Sequence, residues 1–399
     1  MRIAVYHNLP SGGGKRALLE WVKALSHNHV IDVFSLSTAE HDFCDLRPFV
    51  NAYSIIKFTP RKLYSTPFGR LNQYQRWMDL KELTTLQIQI AAEIDRGNYD
   101  VCFANTCMVT SIPIMLQYVH TPALYYLHES FGSAITRNII RPYYRRNYLR
   151  DMLDRIDPLI RLYKQNLLST QYRSLLATDL VVANSNFTRS QMMSAYKIDT
   201  PVCPYGVETE SFYPLPGSRK EDIIISVGEM TPRKGFDFII QGLSLVQLDR
   251  IPKLVIASNN VIPEEEKYIL NIASGLGVEV QLLTHLNTHE LHVLYNKALF
   301  CVYAPIDEPF GLVPLEAMAC GIPVIGVREG GIIESVIDGE TGLLVERSPE
   351  QFAQAVKWMV ENPQHIEVFG DNSRRHILLN WTWDRSIKIL EGLLLSLID

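Results

Sequence analysis

The hydrophobic positions of this chain form short runs rich in β-branched residues, and longer segments with helical periodicity separate these runs. The runs in the first half are 2–6, 31–36, 101–104, 123–127, 180–183 and 202–203. The runs in the second half are 223–227, 254–257, 278–283, 300–303, 324–326 and 343–345. Strands that alternate with helices predict parallel sheets covered by helices on both faces. Two sets of strands therefore predict two α/β domains, each a doubly wound parallel sheet.

A stretch rich in proline and glycine, 204–218, separates the two sets of strands. Such a stretch is typical of a linker between domains. We place the first domain at 1–205 and the second at 206–380. Ligands of open α/β sheets bind beyond the carboxyl ends of the strands, so we expect the functional site in the cleft between the two domains.

Composition and charge exclude several classes of protein. The 399 residues include 38 Lys and Arg against 43 Asp and Glu, a net charge of −5, which argues against a nucleic-acid partner. The six cysteines contain no C-x-x-C pair and favour buried thiols in a reducing compartment. No apolar run is long enough for a signal peptide or a membrane span, so we expect a cytoplasmic protein.

The segment DEPFGLVPLEAMACG, which follows the run 300–303, predicts a strand, a loop and a helix. Gly311 permits a close approach of the backbone to a ligand, and the helix start offers free N–H groups to a phosphate. Glu308 and Glu316 flank this helix start, and carboxylates accept hydrogen bonds from hydroxyls. A nucleotide sugar carries hydroxyls on both sides of its diphosphate and fits this arrangement. Solvated or capping roles for both carboxylates fit the spacing equally well.

The second domain offers two further loops at predicted strand ends. Arg233 and Lys234 follow the run 223–227 and are placed to reach a phosphate, although adjacent basic residues on a loop are often only solvated. Gly330-Gly331 follows the run 324–326. This turn either starts a helix at the cleft or is only a tight connection.

The first domain contributes SGGGKR, at 11–16, after its first predicted strand. Arg16 and Leu9 stand where a P-loop requires Ser or Thr and Gly. A dinucleotide fingerprint would open at the strand end, whereas five residues intervene here. We therefore expect a flexible glycine loop at the cleft that closes on a ligand.

One histidine occupies a position expected for a cleft residue. His128 follows the run 123–127 at its carboxyl end. The nearest approach to metal-ligand spacing is His285, His289 and His292, but His285 closes a predicted strand and lies outside the helix that would align the other two. There is also no Asp-x-Asp clamp, so we predict no metal site.

A basic segment runs from Arg137 to Arg173, with nine Lys and Arg against three Asp and with interleaved aromatic and aliphatic residues. Such a surface could attract an anionic membrane or a phosphate-bearing acceptor. A solvated pair of helices is the alternative interpretation.

Taken together, these motifs resemble those of the retaining GT-B glycosyltransferases of family 4. The similarity is strongest between 223 and 345, in EPFGLVPLEAMACGIPVI, REGGIIESV and DGETGLLV. Weaker similarity lies in SGGGKR, YYLHES, VVANSNFTRS, PYGVETESFYP and WTWDRS. The resemblance implies two Rossmann-like domains that face each other across a cleft. It also implies acceptor binding by the first domain, donor binding by the second, and a helix at about 381–399 that crosses back to the first.

The resemblance also implies roles for individual residues. The implied catalytic residues are His128, Lys234 and Glu308. The implied donor-binding residues are Gly13, Arg233, Lys234, Glu308, Phe310, Gly311, Leu312 and Glu316. Among them, Glu308 would bond the transferred sugar, Glu316 the ribose and Lys234 the diphosphate, while His128 would lie beside the donor sugar.

Two positions depart from the family pattern. Glu229 stands where an arginine commonly follows Val-Gly, and an ionised acid cannot bind a diphosphate. Either Arg233 supplies that charge or this chain binds its donor more weakly. Thr284-His285 stands where a glycine often approaches the nucleotide base, so the identity of the base is not readable from the sequence.

The implied activity is transfer of a sugar, with retention of configuration and without a metal, from a UDP-type or GDP-type nucleotide sugar to a hydroxyl. The acceptor would be a glycan or a lipid-linked molecule, in polysaccharide or glycolipid biosynthesis. We expect no cofactor and, through Arg137 to Arg173, peripheral contact with the inner membrane surface. The alternatives are a GT-B relative such as a nucleotide-sugar epimerase or phosphorylase, and a non-catalytic nucleotide-sugar binder.

Overall fold

The computed structural model of the chain describes residues 1–65, 68–129, 139–144, 154 and 156–398. It contains two parallel sheets of six strands, with orders β3-β2-β1-β4-β5-β6 and β12-β11-β10-β7-β8-β9. The first sheet consists of β1 (Arg2–Asn8), β2 (Val30–Leu36), β3 (Ala52–Ile56), β4 (Val101–Cys107), β5 (Ala123–Leu127) and β6 (Leu180–Ala183). The second consists of β7 (Ile223–Val227), β8 (Lys253–Ala257), β9 (Val280–Leu283), β10 (Cys301–Tyr303), β11 (Val324–Val327) and β12 (Gly342–Val345).

Helices cover both sheets. Among the described residues, those of the first half are α1 (Gly13–Leu25), α2 (Asn72–Arg96), α3 (Pro158–Leu176) and α4 (Asn186–Tyr196). Those of the second half are α5 (Phe236–Ser244), α6 (Pro263–Leu276), α7 (Thr288–Lys297), α8 (Leu312–Ala319), α9 (Ile332–Ser335), α10 (Pro349–Glu361), α11 (Pro363–Asn380) and α12 (Trp383–Leu395). The predicted α/β class with two doubly wound sheets is therefore confirmed.

One strand of the first sheet differs from the sequence-based prediction. The predicted strand at 202–203 is only a single bridge, between Val202 and Ala183. The sixth strand is instead β3, which pairs with β2 at the edge of the sheet and leaves Ile55 exposed. An edge strand with one solvated side lacks the continuous apolar run of a central strand, which explains why the pattern missed it.

The glycine segment of the first domain forms a helix start rather than the expected flexible loop. α1 begins at Gly13, and the backbone N–H of Arg16 donates to the carbonyl of Gly12 at 3.1 Å. Gly12 has a φ of +142°, a conformation that suits glycine and turns the chain into the helix. The expectation of a flexible loop was wrong because the apolar face of α1 packs in the core and fixes this turn.

The C-terminal helix α12 packs against α1. The indole Nε1 of Trp21 donates to Oγ of Ser386 at 3.0 Å, and Nε2 of His29 lies 2.7 Å from Oε1 of Glu391. These contacts bring the end of the chain to the first sheet.

Arg141, one of the basic residues of the segment from Arg137 to Arg173, is not part of an exposed surface. Its guanidinium is buried against the second domain, where it contacts Asp237 at 2.7 Å and Glu265 at 2.8 Å. Tyr143 also donates to Glu265. Five of the basic residues lie outside the described residues, namely Arg137, Arg145, Arg146, Arg150 and Arg155. Among the described helices, none is long and apolar enough to cross a membrane.

Candidate functional site

The structure brings together Lys234 and Glu308, which sequence analysis placed in separate loops. Lys234 ends a short 3₁₀ turn after β7, and Glu308 lies in the loop after β10, the strand next to β7. Nζ of Lys234 lies 2.9 Å from Oε2 of Glu308, and both side chains remain partly exposed. A cation and an anion are thus paired at the carboxyl edge of the second sheet, where a ligand is expected.

Two glycine turns hold this pair in place. Gly235 has a φ of +68°, and a Cβ there would lie 2.1 Å from the carbonyl oxygen of Ala304. A Cβ on Gly330 would lie 2.3 Å from the carbonyl oxygen of Glu308, which also accepts from the N–H of Gly331 at 2.9 Å. The Gly330-Gly331 turn therefore packs directly on the loop of Glu308.

Arg233 supports the same loop. Its Nη2 donates to the carbonyl oxygen of Asp307 at 3.2 Å, and its own carbonyl accepts from the N–H of Ile306 at 2.8 Å. The side chain of Glu229 is exposed at the other end of this turn. Arg233 is therefore the cation adjacent to Lys234, as the sequence indicates.

The start of α8 lies against the first domain. Gly311 precedes the helix with a φ of +92°. A Cβ on Gly13 would lie 3.2 Å from Cδ1 of Leu312, so the start of α1 and the start of α8 meet across the cleft. Phe310 is buried and its ring packs on Tyr205, with ring centroids 4.7 Å apart.

Glu316 is almost completely buried and has two partners that sequence analysis did not assign. Its Oε1 accepts from Nη1 of Arg16, across the cleft, at 2.8 Å. Its Oε2 accepts from the hydroxyl of Tyr295 at 3.1 Å. The carboxylate implied to bind a ribose is thus paired with a cation of the other domain in this structure.

His128 is buried directly after β5, with both ring nitrogens bonded. Nε2 lies 2.9 Å from Oδ1 of Asn105, and Nδ1 lies 2.7 Å from the hydroxyl of Tyr205. Because the amide oxygen accepts, the assigned arrangement is Nε2–H donating to Asn105 and Tyr205 donating to Nδ1. Burial lowers the pKa of His128 to about 3, so the ring is neutral at physiological pH. His128 therefore acts as a neutral group beside the cleft.

Other residues that join the two domains were missed by the sequence analysis. Oγ of Ser185 donates to the carbonyl of Pro309 at 2.6 Å. The carboxylate of Glu334 accepts from the backbone N–H groups of Asn186 and Phe187, each at 2.9 Å. The motifs that contain these residues are visible in the sequence, but their meeting depends on how the domains pack.

Within the part of the chain that the structure describes, no group of three or more His, Cys, Asp or Glu side chains is arranged to hold a metal ion. His292 lies in α7 and its Nε2 is 2.6 Å from the carbonyl oxygen of Tyr213. His285 lies before that helix, with a φ of +58°.

Comparison with known proteins finds one family that is similar to the part of the chain around this site. Residues 208–376 match the family model described as "Glycosyl transferases group 1", and they include Lys234, Glu308, Gly311 and Glu316. Residues 208–376 are thus similar to the glycosyl transferases group 1 family, and they make up less than half of the chain. The resemblance stated from the sequence motifs is therefore confirmed at the level of this family.

Two curated relatives and one solved structure describe the similarity further. The GDP-mannose-dependent alpha-(1-6)-phosphatidylinositol monomannoside mannosyltransferase of Mycolicibacterium smegmatis is 30% identical over 227 residues, which are 51% of this chain and span 59% of that relative. The D-inositol 3-phosphate glycosyltransferase of Geodermatophilus obscurus is 25% identical over 405 residues, 95% of this chain and 84% of that relative. Sucrose-phosphate synthase from Thermosynechococcus elongatus superposes with a TM-score of 0.74 at 21% identity, over 99% of this chain and 98% of that structure. The predicted GT-B fold is confirmed.

Proposed function

We propose that this chain is a hexosyltransferase that moves a sugar from a UDP-type or GDP-type nucleotide sugar to an acceptor hydroxyl, with retention of configuration. The observation that carries the proposal is the meeting of Lys234, Glu308 and the start of α8 at one edge of the second sheet. A cation and a helix N-terminus suit a diphosphate, and a carboxylate suits sugar hydroxyls.

The proposed leaving group is a nucleoside diphosphate. Lys234 and Arg233 supply positive charge, and the free N–H groups after Gly311 supply hydrogen bonds to the developing phosphate charge. By analogy with oxyanion-type donors, each such group is worth about 3 to 4 kcal/mol in the transition state. The proposal therefore uses protein groups for this stabilisation and requires no divalent metal.

The proposed chemical step needs no protein nucleophile. The bond between the anomeric carbon and the diphosphate oxygen breaks, and the acceptor oxygen bonds to that carbon from the same face. The acceptor proton passes to the departing phosphate oxygen. Glu308 orients the sugar, and the neutral ring of His128 packs beside the sugar and helps to keep this orientation.

Donor binding in this proposal involves both domains. Glu316 is buried, and its carboxylate is already paired with Arg16. A ribose hydroxyl that bonds to Glu316 therefore either shares this carboxylate with Arg16 or displaces Arg16 from it. Movement about Pro204 to Val207 would admit the donor and then exclude water from the closed cleft.

We propose that α3 gives the first domain contact with an anionic membrane surface on which a lipid-linked acceptor could lie. α3 carries Arg161, Lys164 and Arg173 and contains no acidic residue. Large apolar side chains, including Leu162 and Leu176, are exposed on the same helix. Basic and apolar side chains on one exposed helix fit the interface of an anionic bilayer.

The donor is tested by thermal stabilisation with a panel of UDP, GDP and ADP sugars, with and without EDTA. A ligand that binds only the folded state raises its stability. We expect one nucleotide class to stabilise the chain equally with and without EDTA. When the sugar of that nucleotide is transferred, NMR of the product should show the same anomeric configuration as in the donor. An inverted product would contradict retention. Release of free epimerised sugar without acceptor would favour an epimerase.

Membrane contact is tested by sedimentation with vesicles of phosphatidylglycerol and phosphatidylcholine. We expect binding that weakens as salt rises, and loss of binding in the Arg161→Glu/Lys164→Glu variant. Arg189→Glu, which changes an exposed arginine on α4, serves as the control. Equal binding to neutral vesicles, or no binding at low salt, would refute the contact.

A further inference from the structure

Ser185 of the first domain contacts the loop that carries Glu308. Its Oγ lies 2.6 Å from the carbonyl oxygen of Pro309, the residue directly after Glu308, and Ser185 is only 1% exposed. Because proline has no backbone N–H, the carbonyl is the only main-chain group of Pro309 that can form a hydrogen bond. The hydroxyl of Ser185 therefore holds this loop from across the cleft.

The single hydroxyl proton of Ser185 is assigned to the contact with Pro309. Oγ of Ser185 also lies 3.0 Å from Oγ1 of Thr188 and 3.2 Å from Oδ1 of Asn184, and both atoms are farther away than the carbonyl oxygen of Pro309. A serine hydroxyl donates one hydrogen bond, and its lone pairs remain free to accept. They accept from the backbone N–H of Thr188 at 3.0 Å. Ser185 thus caps α4 and donates to the second domain at the same time.

The same network reaches His128. Nδ2 of Asn184 donates to the backbone carbonyl of His128 at 2.8 Å, and Oδ1 of Asn184 accepts from the hydroxyl of Thr188, also at 2.8 Å. Buried hydrogen bonds therefore run from His128 through Asn184 and Thr188 to Ser185 and Pro309. A buried network in which each member is bonded holds its members in one arrangement.

The second domain supports the loop of Glu308 from its own side. The carbonyl of Glu308 accepts from the N–H of Gly331 at 2.9 Å, and a Cβ on Gly331 would lie 2.5 Å from the carbonyl oxygen of Pro309. Glu334, three residues after Gly331, accepts from two backbone N–H groups at the start of α4. The start of α4 therefore meets the second domain at two points, the loop of Glu308 and the carboxylate of Glu334.

We infer that Ser185 is a positioning residue for Glu308. Its hydroxyl fixes the carbonyl that follows Glu308, and so sets the position of the Glu308 carboxylate when the two domains are closed. This inference rests on the proposed function, in which Glu308 bonds the transferred sugar and Lys234 binds the diphosphate. Ser185 then affects the part of the donor that Glu308 holds, and leaves the diphosphate to Lys234.

Calorimetric titration with a matched pair of ligands tests this role without an acceptor. The probes are UDP and UDP-glucose, or GDP and GDP-mannose, whichever pair binds. The ratio of the two affinities reports the contribution of the sugar. We expect Ser185→Ala to weaken binding of the nucleotide sugar about fivefold to tenfold and to change binding of the nucleoside diphosphate less than twofold. An unchanged ratio in Ser185→Ala would overturn the inference.

Loss of a helix cap needs a control, because Ser185→Ala also removes the cap of α4. Ser348 caps α10, where its Oγ accepts from the backbone N–H of Gln351 at 3.3 Å. Ser348→Ala should lower the melting temperature, as Ser185→Ala does, but should keep the ratio of the two affinities within twofold of the unchanged chain. A ratio that falls equally in both variants would assign Ser185 a structural role and overturn the inference.

A double-mutant cycle tests whether Ser185 acts through Glu308. In the Glu308→Ala background, we expect Ser185→Ala to change the ratio of affinities less than twofold, because the carboxylate that Ser185 positions is already absent. The same fall in the ratio with and without Glu308 would show that Ser185 acts independently of this carboxylate, and would overturn the inference.

The proposed function and the role of Ser185 fail in different ways. If the unchanged chain binds no nucleoside diphosphate and no nucleotide sugar, the proposed function is contradicted and the inference fails with it. If the unchanged chain binds both ligands and Ser185→Ala binds them with the same ratio, the proposed function stands and the inference alone is overturned.

Discussion

Nζ of Lys234 lies 2.9 Å from Oε2 of Glu308, so the proposed diphosphate-binding and sugar-binding residues pair with each other. The two residues are 74 positions apart in the chain and come from the ends of neighbouring strands. In this arrangement each residue satisfies the charge of the other. A donor that binds here must therefore compete with Glu308 for Lys234, and this competition makes the pair testable.

Neutralising Glu308 should separate binding from transfer. In Glu308→Gln, Lys234 loses its competing carboxylate, so we expect free nucleoside diphosphate to bind about threefold to tenfold more tightly. Transfer should fall about 100-fold or more, because the amide loses the charge-assisted hydrogen bonds with which the carboxylate orients the sugar. Calorimetry and initial rates measure the two effects, with the exposed Glu361→Gln as control. Weaker nucleotide binding in Glu308→Gln would contradict the competition.

Gly235 and Gly277 have nearly equal φ angles, and a comparison of their alanine variants tests whether the packing of Gly235 supports Lys234. Gly235→Ala places a Cβ 2.1 Å from the carbonyl of Ala304, whereas Gly277→Ala, with a φ of +69°, meets nothing within 4 Å. We expect Gly277→Ala to cost about 1 to 2 kcal/mol of stability from backbone conformation alone. Gly235→Ala should cost more and should weaken donor binding as well. Equal melting temperatures and equal donor affinities would show that the contact with Ala304 is unimportant.

The buried Arg141 should contribute strongly to stability. Arg141→Met leaves Glu265, which is fully buried, without its cationic partner. We expect a loss of about 3 kcal/mol, measured as a shift in the urea unfolding transition. Arg189→Met removes an exposed ion pair and should change stability little. Similar small effects of both variants would mean that the segment at 139–144 does not hold the domains together.

His128 should make the folded protein sensitive to acid. Its pKa is lowered from 6.5 to about 3 by burial, so below pH 6.5 the unfolded chain binds a proton that the folded chain does not. Stability is then lost as the pH falls from 6.5 towards 3, with a slope approaching about 1.4 kcal/mol per pH unit from this residue. His128→Gln should reduce the slope of unfolding free energy against pH. His27→Gln controls for the loss of a histidine, and an unchanged slope in His128→Gln would show that another residue causes the effect.

The sequence predicts the central strands well because their side chains are buried on both faces. β1, β5 and β10 read as apolar runs, whereas the edge strand β3 has exposed positions and no comparable pattern. Local motifs likewise place Lys234 and Glu308 at strand ends. The family resemblance supplies their implied roles.

The contacts between the two domains could not be predicted from the sequence patterns. Arg16 and Glu316 are 300 positions apart, and neither local pattern indicates the other. Arg141 looked like a surface residue of a basic segment, yet its partners Asp237 and Glu265 come from helices of the second domain. Such pairs depend on how two separately patterned domains pack, which periodicity does not encode.

The central claim is that Lys234 binds the diphosphate of a nucleotide-sugar donor, and a calorimetric titration with UDP and GDP tests it most directly. The unchanged chain, Lys234→Met and the exposed-lysine control Lys357→Met would be compared under one set of conditions. We predict that Lys234→Met weakens binding of the preferred nucleotide about 100-fold, while Lys357→Met leaves it unchanged. Equal affinity of Lys234→Met and the unchanged chain would contradict the account.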